Sequence, residues 1–222
     1  MTTRFTGDVV VVGGGITADS VSLSTASITN AMCSANMELA RSKMAQEALQ
    51  PYTLPLTQFR TWNALATNLP GTPAADDLGL DNATFGTGSP HLTAGDLKAA
   101  GATSRYARAH VVIPVEYDDA QTCNIRIHAL MQTTVADASC TVNVECYRSD
   151  EEAGISADLC TTAATSMNSL TGADYDFTLT PTTFVSGDTL DIRITVACND
   201  AATGTVVEAV IGAVQLICDV RG

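Results

Sequence analysis

The sequence predicts a mainly β protein: an antiparallel, jelly-roll-like β-sandwich preceded by a β arm and one short α-helix. Three observations predict it. Apolar and polar residues alternate over long stretches of the second half. Short turn sequences such as Asp118-Asp119-Ala120-Gln121 and Val185-Ser186-Gly187-Asp188 separate those stretches. The intervals leave no room for the helical crossovers that parallel strands require.

The elements follow in chain order. Residues 1–30 are short β-prone pieces rich in Gly, Ser and Thr. This arm has too little apolar content to fold alone, so it is expected to gain order by pairing with another chain. Val9, Val11, Val21 and Leu23 are its candidate interface residues. Residues 31–50 contain no Gly, Pro, Val, Ile or Thr and predict a helix. Asn30 is its N-cap and Pro51 ends it. Met32, Ala35 and Leu39 form one stripe, and Met37, Ala40, Met44 and Ala48 a second. Two stripes suit burial on more than one side, either against the chain's own sandwich or against copies in other subunits, and for the second Met37 and Met44 are candidate self-association residues. Residues 1–50 are thus expected to serve attachment and oligomerisation, and 51–222 to form the sandwich.

Within the sandwich, residues 62–105 hold Pro70, Gly71, Pro73, Gly86, Gly88, Pro90 and Gly95 and predict a long irregular loop, either a contact segment or an ordered surface excursion. A strand over 107–117 places Ala107, Ala109, Val111, Ile113 and Val115 on one face. The next strand, 122–131, does so with Cys123, Ile125 and Ile127. Further strands are expected over 139–147, around Tyr175, Phe177 and Leu179, over Leu190 to Cys198, and over Val206 to Val220.

Seven cysteines are present. Cys123, Cys140, Cys146, Cys198 and Cys218 fall in phase with apolar strand residues, which predicts reduced core thiols. None has the Cys-x2-Cys spacing of a zinc site, so no metal site is expected from them. Met1-Thr2-Thr3-Arg4-Phe5 lacks the apolar region of a secretory signal, which predicts synthesis in a cytosol.

Charge narrows the partners. The chain carries 24 Asp+Glu against 11 Lys+Arg. Phosphate backbones and anionic membranes need clustered cations, so neither nucleic acid nor membrane is an expected partner. No apolar run approaches membrane-spanning length.

Asp8 to Ala18 contains Gly13, Gly15 and Ala18 in the G-x-G-x-x-G/A spacing of dinucleotide folds. That motif needs a helix directly after the glycines to hold the pyrophosphate. Here Ser and Thr interleave Val21, Leu23 and Ile28, a β or turn texture, so no cofactor is expected. The three histidines are His91, His110 and His128; the last two sit outward on successive strands and predict a surface cross-strand pair. The acidic pairs Asp76-Asp77, Asp118-Asp119, Asp150-Glu151-Glu152 and Asp174/Asp176 read as solvated turns without calcium-loop spacing. Aromatic platforms for glycans are scarce, with Trp62 the sole tryptophan. No enzyme activity is expected.

One resemblance rests on Asp76-Asp77-Leu78-Gly79-Leu80, on Thr103-Ser104-Arg105-Tyr106-Ala107-Arg108, and on a hairpin from Val111 to Met131. With the arm, the apolar helix and the acidic sandwich, these resemble tailed-phage capsid cement or head-decoration proteins. That resemblance implies a homotrimeric jelly roll that binds the major capsid protein and stabilises the head shell. It further implies a virion protein on the capsid surface, made in the host cytoplasm. A second implied role is a tail-fibre or spike head that binds a host receptor. The resemblance carries over no functional residue.

Overall fold

The computed structural model describes residues 48–149, 155–200 and 205–220. All of them belong to one compact unit spanning residues 41–222. Twelve strands are described: β1 (Ala48–Leu54), β2 (Arg60–Thr61), β3 (Ala64–Asn68), β4 (Gly79–Asp81), β5 (His91–Asp96) and β6 (Ala99–Val112) come first. They are followed by β7 (Cys123–Met131), β8 (Ser139–Ser149), β9 (Thr165–Ser166), β10 (Ala173–Thr178), β11 (Thr189–Asp200) and β12 (Glu208–Val220). A single 3-10 turn, Leu56–Gln58, is the helical element among the described residues.

The pairing is a nested ribbon. β5 pairs with β12, β6 with β11, β7 with β10 and β8 with β9, all antiparallel. Rolling that ribbon adds β12 against β7 and β11 against β8. The result is two six-stranded sheets. Sheet A runs β4-β5-β12-β7-β10, with β1 completing the β5 side of β12; sheet B runs β3-β2-β6-β11-β8-β9. This is the jelly-roll order of a β-sandwich, as the alternation predicts.

Alternation builds the core. Along β7 every odd residue from Cys123 to Met131 is buried and every even one is partly exposed. Opposite it, Ile192, Ile194, Val196 and Cys198 of β11 and Val142, Val144 and Cys146 of β8 are at most 1 % exposed. These side chains interdigitate between the sheets, and their removal from water is the main stabilising term. β12 changes phase midway: Ala209 and Ile211 are buried, then Val214, Leu216 and Cys218. The register shifts between Ile211 and Ala213, so Gly212 is the extra residue of a β-bulge.

Several expectations are corrected. Successive strands from β5 to β8 alternate between sheets, so Val111 to Met131 is an arch across the sandwich and no hairpin. His110 on β6 and His128 on β7 therefore lie in opposite sheets and form no cross-strand pair. The helix expected over 31–50 does not reach its end: Ala48, Leu49 and Gln50 are strand, paired with Val220, Asp219 and Cys218. The free ladder edge of β12 offers those backbone groups partners, which overrides helix propensity. Ala48 to Gln50 therefore belong to a sheet of the sandwich, although they precede residue 51. Pro51 lies inside β1, on an edge strand where a missing N–H is tolerated.

The stretch 62–105 is no loop throughout; it contains β3, β4, β5 and the start of β6. β6 also stops at Val112, so Val115 leaves the expected strand and is 78 % exposed. The five core cysteines are buried as expected, yet Cys140 and Cys198 are joined as a disulfide. They face each other in register across β8 and β11, a proximity that strand phase alone does not reveal. The glycine motif, the arm, helix residues 31–47, Asp150 to Glu152 and the interface residues Val9, Val11, Val21, Leu23, Met37 and Met44 lie outside the described residues.

Candidate functional site

The outer face of sheet B gathers aromatic, basic and acidic side chains. Outward positions on β6 are Tyr106, Arg108 and His110; on β11 they are Asp191 and Arg193; on β8, Glu145 and Tyr147. Register puts Arg193 between Arg108 and Glu145, and Asp191 between His110 and Tyr147. Trp62 joins them from the turn after β2.

Ion pairs fix this face. Arg108 reaches diagonally to Asp191, donating from Nε to Oδ1 at 2.7 Å and from its terminal nitrogen to Oδ2. Such a fork geometry sets orientation as well as energy. The Asp191 hydrogen bonds raise the Arg108 pKa above its ordinary value. His110 Nε2 stands 3.5 Å from the same carboxylate. Arg193 donates from Nε to Glu145 at 2.7 Å and also from its terminal nitrogen. Burial, then the Glu145 charge, raises the Tyr147 pKa.

Aromatic rings line the other side. The Trp62 and Tyr106 centroids are 5.1 Å apart, tilted by 45°. The Arg193 guanidinium lies 5.3 Å from the Trp62 centroid and 5.2 Å from that of Tyr106, a double cation–π contact. Two acids expected to be solvated turn residues anchor the indole. Asp76 accepts from Trp62 Nε1 at 2.8 Å, and Asp77 accepts from the Trp62 backbone N–H at 3.1 Å. Their segment is locked in turn: Tyr106 N–H donates to Asp76 O, and Leu78 N–H to Tyr106 O.

Between these groups runs a cleft of about 230 Å³, lined by Trp62, Arg108, Tyr147, Ile155, Asp191 and Arg193. Flat apolar faces alternate with paired charges, so the cleft can stack against a ligand and hydrogen-bond its edge. Both guanidinium groups of the lining are already paired, Arg108 with Asp191 and Arg193 with Glu145.

Other candidate residues are placed elsewhere. On the outer face of sheet A, His128 Nδ1 lies 2.8 Å from Asp174. Arg126 beside it holds Asp176 with two hydrogen bonds, of 2.7 and 2.8 Å. Asp174 and Asp176 are therefore strand residues, one beside His128 and the other ion-paired with Arg126, not turn residues. His91 lies near Ser89 O and Asp81 at the β4–β5 edge. Asp119 accepts from Ser186 N–H between two loops. Among the described residues no group of three or more His, Cys, Asp or Glu is placed to hold a metal ion. Likewise, no described helix is long and apolar enough to cross a membrane.

Sequence reasoning missed the cleft. Its residues stand on the polar phase of their strands, where Tyr106 alternates with Ala107 and Tyr147 with Cys146. Bulky aromatic and arginine residues on that phase were the available signal. What was hidden is that β2, β6, β11 and β8 are neighbours.

No family model matches this chain, and no curated protein matches it. Solved structures show remote similarity. One is a xylan-binding module, CBM15, at TM-score 0.45 and 9 % identity, covering 79 % of this chain and all of that one. The CBM22-1 xylan-binding domain from Paenibacillus barcinonensis Xyn10C gives TM-score 0.40 and 12 % identity, over 79 % of this chain and 97 % of that one. The infectious bursal disease virus Gx strain structure gives TM-score 0.38 and 10 % identity, over 79 % of this chain and 32 % of that one.

Proposed function

We propose that this chain is a non-catalytic virion structural protein of the cement or decoration type, a jelly roll that binds a phage head shell. In this reading it works as a homotrimer on the capsid surface, with the major capsid protein as partner. The observation that carries it is the outer face of sheet B. Trp, Tyr and Arg are the residue types that dominate binding energy at protein interfaces. Trp62, Tyr106, Tyr147, Arg108 and Arg193 meet on this one face. Their orientations are already set by internal pairs, so little side-chain entropy is lost on contact. The net charge of −13 fits a partner surface with basic groups at the rim.

The test is reconstitution on undecorated heads. Full-length protein is expected to bind, Trp62→Ala and Tyr147→Ala to bind at least tenfold more weakly, and a chain lacking residues 1–30 to stay folded but detach. Binding of all three variants at the full-length level would refute the reading.

One observation favours a second reading, a fibre or spike head that binds a host receptor. The cleft has the volume for one sugar unit stacked on Trp62 or Tyr147, with paired arginines at its edge. A panel of immobilised glycans separates the two readings, since Trp62-dependent glycan capture without head binding selects the receptor role.

A further inference from the structure

We propose that Cys123 and Cys218 are a latent second disulfide of the jelly roll, closed by exchange with a low-molecular-weight disulfide such as oxidised glutathione. Cys123 opens β7 and Cys218 lies near the end of β12, directly opposite in register. Their sulfurs stand 3.2 Å apart. The neighbouring pair, Thr122 and Asp219, is the hydrogen-bonded one, because Asp219 N–H donates to Thr122 O. Cys123 and Cys218 therefore occupy the non-hydrogen-bonded site, where opposed side chains approach most closely. That proximity falls within the reach of a disulfide without moving either strand.

Sheet B carries the matching arrangement already bonded. Cys140 and Cys198 also oppose each other in register, across β8 and β11. Each sheet thus holds one cross-strand cysteine pair linking strands distant in sequence. The sheet B bond joins residues 58 positions apart, and the sheet A pair would join residues 95 positions apart.

Cys123 and Cys218 are both fully buried. Burial does not separate the two pairs, since Cys140 and Cys198 are 0 % exposed as well. β1 flanks Cys218 on its other side, through Gln50. The 113–122 arch closes the same end: Tyr117 is fully buried and pairs with Val220, and its hydroxyl donates to Gln121 O. The hydrogen bond to Cys218 and burial hold the Cys123 thiol protonated, well above its ordinary pKa. Reaction therefore waits on opening of the arch, which lets one thiol ionise.

The exchange balances. One cysteine thiolate attacks a sulfur of the oxidant, forms a mixed disulfide and expels one small thiolate. The second cysteine thiolate attacks the protein sulfur of that mixed disulfide and expels the other. The protein loses two protons and two electrons, and the oxidant leaves as two thiols.

The experiment uses full-length protein with oxidised glutathione, with and without sub-denaturing urea. The protein is then denatured, alkylated with N-ethylmaleimide, digested and weighed. The expected result is a linked Cys123–Cys218 peptide, two fewer alkylated thiols, faster formation in urea, and unfolding slowed by about tenfold. Cys218→Ser should instead stop at a glutathione adduct on Cys123; Cys218→Val replaces it if the serine chain fails to fold. Separate alkylation of Cys123 and Cys218 after the urea arm overturns the proposal. So does linkage of either one to Cys146 or Cys160.

Discussion

Arg108 grips Asp191 diagonally across the β6–β11 ladder, past the residue it faces in register, Arg193. The diagonal separates two guanidinium groups that would otherwise stand directly opposed, and sends each to its own carboxylate. Asp191 depends on it, since its side chain is only 10 % exposed.

Removing the grip should therefore cost more than an ordinary surface pair. Arg108→Met leaves the Asp191 carboxylate without its two donors and should lower stability by about 2–3 kcal/mol. Adding Asp191→Leu should recover at least half, because no charge then remains stranded. Urea denaturation of the two variants measures both steps, with an unchanged slope expected.

Trp62 is the only tryptophan, so intrinsic fluorescence reports directly on the cleft. Arg193→Ala removes the cation over its ring and admits water. Emission should shift to the red and acrylamide quenching should rise, with a stability loss of about 1 kcal/mol. A core change such as Ile127→Val should leave the emission maximum where it is.

The outer face of sheet A sets part of the acid response. The Arg126 hydrogen bonds hold the Asp176 carboxyl below its ordinary pKa. A lowered folded pKa means the unfolded chain takes up the proton first as pH falls. The stabilisation is thus present above about pH 4 and is lost below it. Asp176 is 41 % exposed, so the effect stays under about 1 kcal/mol. Arg126→Gln should flatten stability against pH below pH 4 and change little at pH 7.

Cys140–Cys198 closes a long loop in the unfolded chain. Cys140→Ser with Cys198→Ser should lower stability by about 4 kcal/mol in the chain-entropy account. Thermal unfolding of native and doubly substituted protein, both without reductant, measures it.

Much of the core was legible because its code is local. Cys123, Ile125 and Ile127 declare their face within one strand, and all are buried. Pairing is not local. Whether His128 meets His110 or Asp174 depends on which sheet β7 joins, and alternation is silent on that. Short strands were also lost to view: Gly79–Asp81 carries too few residues for any period to show. At Ala48–Gln50 the intrinsic preference pointed to helix, and an open neighbouring edge decided otherwise. The cleft was hidden for the same reason as the disulfide. Trp62, Arg108, Tyr147 and Asp191 come from four separate stretches, and only the strand order makes them one surface.

The nested ribbon also dictates how this chain can be made. β5 and β6 leave the ribosome well before their partners β12 and β11. Until residues 189–220 emerge, the edges of both early strands stay open and their apolar faces uncovered. The sandwich can close only once residues 189–220 have been made, so a nascent chain stalled before residue 189 holds no finished sheet to rescue.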